Sequence, residues 1–454
     1  MKLTTSIDTY LETHLDESLA ELSRLVAQPS VAAQNWGLVE CASLVAEMLG
    51  KRGFTVEILS TGGAPVVFGQ RNGASKKTLL FYNHYDVQPP EPLELWESPP
   101  FEPALRDGKL FGRGVSDDKG QLVSRLFAID ALLATQGELP CTVKFVIEGE
   151  EETSSVHLHD FVTQNQDKLA AEACIWEFGG VDHREVPMQY LGLRGICYVE
   201  LSVETASTDV HSGTGGSIFP NAAWRLTWAL NSLKGPDERI RLPGFYDAVK
   251  PPSLRDRELM AALPDAADEY KNRYGVSHFL KGIKGGVELK IAEVFEPTCT
   301  ICGLTSGYQG AGSKTVLPAR ASAKVDFRLV PDQTPDQVLR SLRAHLDSQG
   351  FSDIKIQYLG GETPARTDPD DPFIKLVVDS AEPVYGRPMQ MVPMVGGSGP
   401  NHVFIHTLHL PVATVGIAYP GTLGHAPNEN IRLDLYLKGA KHVARIIQAF
   451  GKAG

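Results

Sequence analysis

Between Leu38 and Trp176 helical and extended segments alternate, and the apolar strands end on histidine or acidic residues. No other feature limits the fold of this chain as much. Helical spacing predicts a helix over Leu38–Arg52, stopped by Gly53, then strands at Phe54–Leu59, Val66–Phe68 and Lys77–Tyr82. Gln121–Thr135 reads as a helix closed by Gly137, and Thr142–Ile147 and Ala173–Trp176 read as buried strands. Strands that alternate with helices predict an α/β domain with a mainly parallel central sheet and helices on both faces.

The rhythm changes near Gly192. Tyr198–Thr205 and Ala321–Val330 alternate inward and outward, with Ala323, Val325, Phe327 and Leu329 on one face. That pattern predicts a half-exposed antiparallel sheet. Helices at Ala222–Leu233 and Pro335–Ser348 complete a smaller α+β domain. Gly360–Pro372, rich in Gly, Thr, Asp and Pro, reads as the linker that returns the chain, and Phe373–Ala381, Val412–Ile417 and Leu435–Phe450 resume the first pattern. The expected organisation is a first domain in two parts, 1–194 and 363–454, with an inserted domain at 195–362. Three sequential domains are the plainer alternative. Insertion is preferred because the chemistry joins the first and last segments.

Composition excludes several function classes. Lys+Arg 43 against Asp+Glu 55 gives a net charge of -12, with no long basic block, so no cationic face is available for nucleic acid. No apolar run reaches the roughly 18 residues of a membrane span. Six cysteines in 454 residues are no disulfide framework. Thr5–Ala27 has helical spacing and interspersed acids, unlike a secretory leader, so a cytoplasmic location is expected.

The chemistry-bearing residues sit at strand ends and turns. His84-Tyr-Asp86 ends one strand. Asp117-Asp118 follows the turn Gly112-Arg-Gly114 and opens a helix. Glu148-Gly-Glu150-Glu151-Glu152 ends another strand, Glu177 a third, and His425 follows Val412–Ile417. In a parallel sheet these ends share one edge, where ligands bind. Carboxylates gathered there repel one another unless cations intervene. Two histidines and three carboxylates suit two borderline-soft divalent ions that share one carboxylate. Each element alone has a plainer reading, a solvated His-x-Asp or an exposed run of Glu; their common context is the signal.

The motifs Asn83-His84-Tyr-Asp86-Val-Gln-Pro, Gly112-Arg-Gly-Val-Ser-Asp117-Asp-Lys-Gly120, Glu148-Gly-Glu-Glu151-Glu152, Asp209-Val-His211-Ser-Gly213 and Gly424-His425-Ala-Pro-Asn-Glu429 occur in this order over about three quarters of the chain. Together they resemble the M20 family of metallopeptidases and amidohydrolases. That family includes carnosinase-like dipeptidases, glutamate carboxypeptidases, aminoacylases and acetylornithine or succinyl-diaminopimelate deacylases. The resemblance implies a zinc-peptidase-like catalytic domain with an inserted lid and dimerisation domain. It implies two Zn2+ per subunit, with Co2+ or Mn2+ as substitutes. His84 and Glu177 would bind one ion, Glu152 and His425 the other, and Asp117 both; Asp118 is the adjacent ambiguity. Glu151 would be the general base and Asp86 would orient His84. His211 would reach the neighbouring subunit's site from the inserted domain of a homodimer, its plainer reading being the cap of a local turn.

Arg328, on the opposite face of its strand from Phe327, is suited to a substrate carboxylate, and Gly397 and Ser398 to the same end of the substrate. A solvent-facing Arg and a simple turn are the alternatives. Asp86-Val-Gln-Pro-Pro and Trp96-Glu-Ser-Pro-Pro-Phe101 look dipeptidase-like. Glu177 stands where many dipeptidases of the family have Asp, and deacylases and carboxypeptidases more often Glu. The expected substrate is therefore a dipeptide or short peptide with a free C-terminal carboxylate, with an N-acyl amino acid as the alternative. A non-catalytic relative would be expected to lack a ligand or the base. Cys299-Thr-Ile-Cys302 reads as two thiols on a strand. Gly307-Tyr-Gln-Gly310-Ala-Gly312-Ser-Lys314 fails the phosphate-loop order. His157, His159, His402, His406 and His409 read as packing or surface residues.

Overall fold

The computed structural model describes residues 2–452. The helical spacing at the start of the chain folds as two helices, Lys2–Thr13 and Leu15–Ala27, broken at His14. Their apolar stripe, Ile7, Leu11, Leu19, Leu22, Leu25 and Val26, is buried.

Seven strands then follow in the first part of the chain that matter for the site: β1 (Thr55–Leu59), β2 (Val66–Arg71), β3 (Ser75–His84), β4 (Ala104–Arg106), β5 (Lys109–Phe111), β6 (Cys141–Glu148) and β7 (Ala173–Trp176). Five of them with Val412–Thr414 form a six-stranded sheet of order β1-β2-β6-β3-β7-(412–414), while β4 and β5 form a small sheet with Asn430–Arg432. From β6 onward all neighbours are parallel, whereas β1 and β2 add an antiparallel edge. Phe81 lies opposite Phe145 on one side and Ile175 on the other, and all three are fully buried. A strand buried on both faces carries a continuous apolar run, which is why Leu79–Tyr82 shows no alternation. Leu80 and Tyr82 face Phe161, Trp176 and Phe404 on one side. On the other, Lys119–Gln136 and Leu433–Lys452 pack across β3.

The second sheet is antiparallel: Thr298–Ser306, Arg320–Leu329, Gly195–Glu204 and Lys355–Glu362, in that order. Val199, Leu201, Val325, Phe327 and Leu329 turn inward onto the helices Ala222–Leu233 and Pro335–Ser348. Cys299 and Cys302 lie on the edge strand, Cys299 buried and Cys302 exposed, and both thiols are free. One expectation fails here. Gly360, Gly361 and Glu362, read as linker, pair with Tyr198, Cys197 and Ile196, so the strand runs into the stretch assigned to the return. A register shift at Tyr198/Val199 accommodates the glycines.

The chain divides into two compact units. One holds the residues up to Leu191 together with Arg366–Pro393 and the segment from Pro400; the other holds Gly192–Ala365 and Met394–Gly399. Met394–Gly399 thus groups with the second unit, although the sequence reading places all of 363–454 with the first. Among the described residues no helix is long and apolar enough to cross a membrane.

Candidate metal centre

The carboxyl ends of the parallel strands bring the chemistry to one edge of the first unit. β3 ends on His84, β6 on Glu148 with a short turn at Glu151–Thr153, and β7 immediately precedes Glu177. His425 stands in the loop that follows Val412–Thr414. Arg125, 1% exposed in the helix Lys119–Gln136, ties these ends together. Its guanidinium donates to the carbonyls of Tyr82 (2.7 Å), Glu177 (3.1 Å), Val415 (3.2 Å) and Trp176, and to Asn83 Oδ1 (2.7 Å). Nothing in the sequence marked it, because an Arg within an apolar helix gives no hint of which strands it will meet. Removing it strands several buried acceptors. Arg125→Met is expected to lower the stability of the metal-free protein by on the order of 3 kcal/mol. Urea unfolding followed by circular dichroism measures this, and a loss under about 1 kcal/mol would show that the carbonyls find other donors.

The five expected ligands converge. Asp117 divides its carboxylate: Oδ1 lies 3.0 Å from His84 Nε2 and Oδ2 lies 3.1 Å from His425 Nε2. Glu177 Oε2 lies 3.9 Å from His84 Nε2, and Glu152 Oε2 lies 3.2 Å from His425 Nε2. Ligand atoms of Asp117, Glu152 and His425 all fall within 4.8 Å of one another. Glu177 Oε2 is buried and has no hydrogen-bond partner. A buried carboxylate oxygen left bare beside an imidazole fits a cation. So does the donor set, nitrogen and carboxylate oxygen in borderline-soft proportion. His425 holds a left-handed backbone (φ 63°), stabilised where Asn430 closes its loop by donating to Gly421 and Asn428 carbonyls.

Asp86 has two tasks. Oδ1 stands 3.3 Å from His84 Nδ1, while the backbone N–H groups of Glu151 and Glu152 donate to its carboxylate at 3.2 and 3.0 Å. It therefore fixes the imidazole and the acidic turn together. Asp118 turns the other way. Its Oδ2 accepts from Asn83 Nδ2 (2.5 Å) and from His84 N (3.1 Å) inside the fold. Gln88 Nε2 donates to Glu152 Oε2 at 2.8 Å, a contact that the sequence reading did not anticipate. The turn before Asp117 depends on Gly114, whose φ of 82° suits glycine.

Electrostatics report the crowding. Burial pushes Glu177 and Glu151 well above the ordinary carboxylate range, and neighbouring carboxylates push them further. Burial acts the same way on Asp117, but hydrogen bonds with His425 and His84 outweigh it and hold that carboxyl low. His425, bonded to Asp117 and Glu152, is pushed up to about 10. The cluster thus attracts positive charge, which divalent cations would supply in place of protons.

The other four expected residues belong to the second unit. His211 is exposed and caps the helical turn that starts at Ser212: Nδ1 accepts from Gly213 N at 3.1 Å. Arg328 Nη1 donates to Ser398 Oγ at 2.8 Å, and its Nε faces Asp326 at 3.4 Å. Gly397 offers its carbonyl to Arg194 N at 3.0 Å. Arg328, Gly397 and Ser398 are thus gathered within one unit, and the local-turn reading of His211 is correct as far as its Nδ1 goes.

Residues 80–449 match the peptidase family M20/M25/M40. The Cys-Gly metallodipeptidase dug1 of Schizosaccharomyces pombe is 30% identical, over 94% of this chain and 94% of its own. The Beta-Ala-His dipeptidase of Mus musculus is 26% identical, over 98% of this chain and 94% of its own. The crystal structure of the M20 family metallo-carboxypeptidase Sso-CP2 from Sulfolobus solfataricus superimposes with a TM-score of 0.90 at 36% identity, covering 96% of this chain and 99% of that one. With the converged ligands at the sheet edge, these matches show that the chain belongs to the M20 family of peptidases and is a metal-using hydrolase of peptide bonds.

Proposed function

We propose that this protein is a dinuclear zinc dipeptidase acting on dipeptides or short peptides with a free C-terminal carboxylate. The observation that carries the reading is the divided carboxylate of Asp117, one oxygen toward each histidine. His84 and Glu177 would hold one Zn2+, Glu152 and His425 the second, and Asp117 both; Co2+ or Mn2+ would substitute. When bound, such a pair polarises a carbonyl and lowers the pKa of water. Glu151 takes the proton from the attacking water and returns it to the leaving nitrogen. Asp86 holds the turn that aims Glu151. His211 aids the oxyanion. Because its Nδ1 accepts from Gly213, the neutral ring carries its proton on Nε2, the donor that an oxyanion requires. Arg328, steadied by Ser398 beside Gly397, pairs with the substrate carboxylate.

His211 serves the site of a second copy in a homodimer formed through the second unit. Thr298–Ser306 is an edge strand that exposes Ile301 and Leu304, and Trp224 and Trp228 stack in the open on the helix Ala222–Leu233. Such faces suit two-fold pairing. Six free thiols suit a reducing compartment, the cytoplasm.

The likeness to a Cys-Gly and a Beta-Ala-His dipeptidase supports a dipeptide over an N-acyl amino acid as the substrate of this chain. A zinc-loaded screen of dipeptides against N-acetyl and N-succinyl amino acids tests this. Dipeptide cleavage is expected, lost with a chelator and regained with Zn2+. Faster turnover of the N-acyl compounds would replace the proposal with a deacylase, and chelator-resistant cleavage would remove the metal from it.

A further inference from the structure

One carboxylate with no role so far ties together the loops that carry Asp117 and His425. The loop Gly112–Asp118 leaves β5, and the loop Gly421–Glu429 runs into Asn430–Arg432; these strands pair antiparallel with Asn430 opposite Phe111. Glu429 sits at the junction, fully buried. Its Oε2 accepts from Arg113 Nη1 (2.7 Å) and Gly114 N (2.9 Å), and its Oε1 from Ser116 N (2.9 Å) and Asp117 N (3.0 Å). Gly112 N donates to the Glu429 carbonyl at 3.0 Å. A carboxylate gripped by four donors is a stiff connector, since charge-assisted hydrogen bonds are short and directional. Its last donor is the backbone of Asp117 itself, and four residues before it on the same loop stands His425.

We propose that Glu429 is a positioning residue that sets Asp117 and His425 in register, and so controls the ion held by Asp117, Glu152 and His425 more than the ion held by His84 and Glu177. This rests on the two-ion reading above. His84 and Glu177 stand on the ends of β3 and β7, which Arg125 secures without help from Glu429. Asp117 and His425 meet each other directly at 3.1 Å and Gly112 N bonds the Glu429 carbonyl, but it is the Glu429 side chain that grips the Asp117 loop from the His425 loop through four donors. Loss of Glu429 therefore frees two of the three ligands of one ion and only the shared ligand of the other.

The test is a Zn2+ titration of the full chain against a chromophoric chelator. Glu429→Gln keeps the shape but turns donors toward donors. The wild type is expected to bind two ions. In the variant the site that His425→Ala removes should lose about 10- to 100-fold in affinity, the usual effect of removing a residue behind a ligand, while the other site changes far less. The surviving site should match that of His425→Ala. Glu429→Gln also leaves Arg113 buried without its partner, which threatens folding. The double variant Arg113→Met/Glu429→Gln removes that charge, and the same selective loss is expected in it. Two sites that keep their wild-type affinities in the folded double variant, or that weaken equally, would overturn the proposal. A wild type that takes up a single Zn2+ would instead overturn the two-ion reading, and the proposal with it.

Discussion

Glu151→Ala is expected to lower kcat by roughly 10²- to 10⁴-fold, the usual contribution of a general base, with metal content unchanged. The argument turns on the difference between two adjacent acids. Both hang from Asp86 through their backbone N–H groups. The Glu152 carboxylate is committed: His425 Nε2 lies 3.2 Å away and Gln88 donates to it at 2.8 Å. The Glu151 carboxylate has no hydrogen-bond partner among the described residues, so it is free to move a proton. Burial, helped by the carboxylates of Asp117, Glu152 and Asp86 and opposed by His84, raises its proton affinity well above that of an ordinary Glu. A base must take a proton from water and then release it to an amine, and a raised carboxyl suits both halves of that exchange. Activity and bound zinc, measured on the same preparation, decide the assignment. Zinc lost in proportion to activity would mean that Glu151 and Glu152 have been exchanged. Asp117→Ala is the contrast: its two oxygens face both histidines, so zinc itself should be lost.

The parts of this fold legible in the sequence were those whose physics is local. A strand buried on both faces needs an unbroken apolar run, and Leu79–Tyr82 and Phe145–Ile147 are such runs. The candidate ligands were legible because each stands at the end of such a strand or in a turn or loop that follows one or opens a helix. Lys355–Glu362 was not, since six of its eight residues are Gly or polar or are left half-exposed, and only its pairing with Gly195–Glu204 defines it. Ala267–Tyr274 buries only Ala267, so no apolar stripe announces a helix. Leu254–Ala262 did carry a signal: Ser253 and Asp256 form a capping box that sequence reading passed over. Arg125 and Glu429 failed to stand out for a different reason. Each acts through backbone groups from distant segments, and a carbonyl or an N–H has no letter in a sequence.

Mixing two inactive variants should restore activity if His211 acts across a dimer. A Glu151→Ala chain lacks the base in its own site but supplies a sound His211 to its partner. A His211→Ala chain keeps its base but supplies a defective side chain. In the mixed dimer one site collects both lesions and the other is whole. Random exchange at equal amounts makes half of the dimers mixed, so about a quarter of wild-type activity should return, given two-fold symmetry. The structure makes His211 a fair candidate. Its Nδ1 is spent on Gly213 N, and among the described residues its Nε2 has only a long contact of 3.4 Å with Thr315 Oγ1, so a stronger acceptor can claim the proton. His211→Ala leaves the helical turn without its side-chain cap, a local cost of about 1 kcal/mol that does not unfold a chain this size. Activity that fails to return, with exchange confirmed by differently tagged chains, would place His211 within its own subunit's chemistry or outside the reaction. A fully active monomer would end the idea of a shared site.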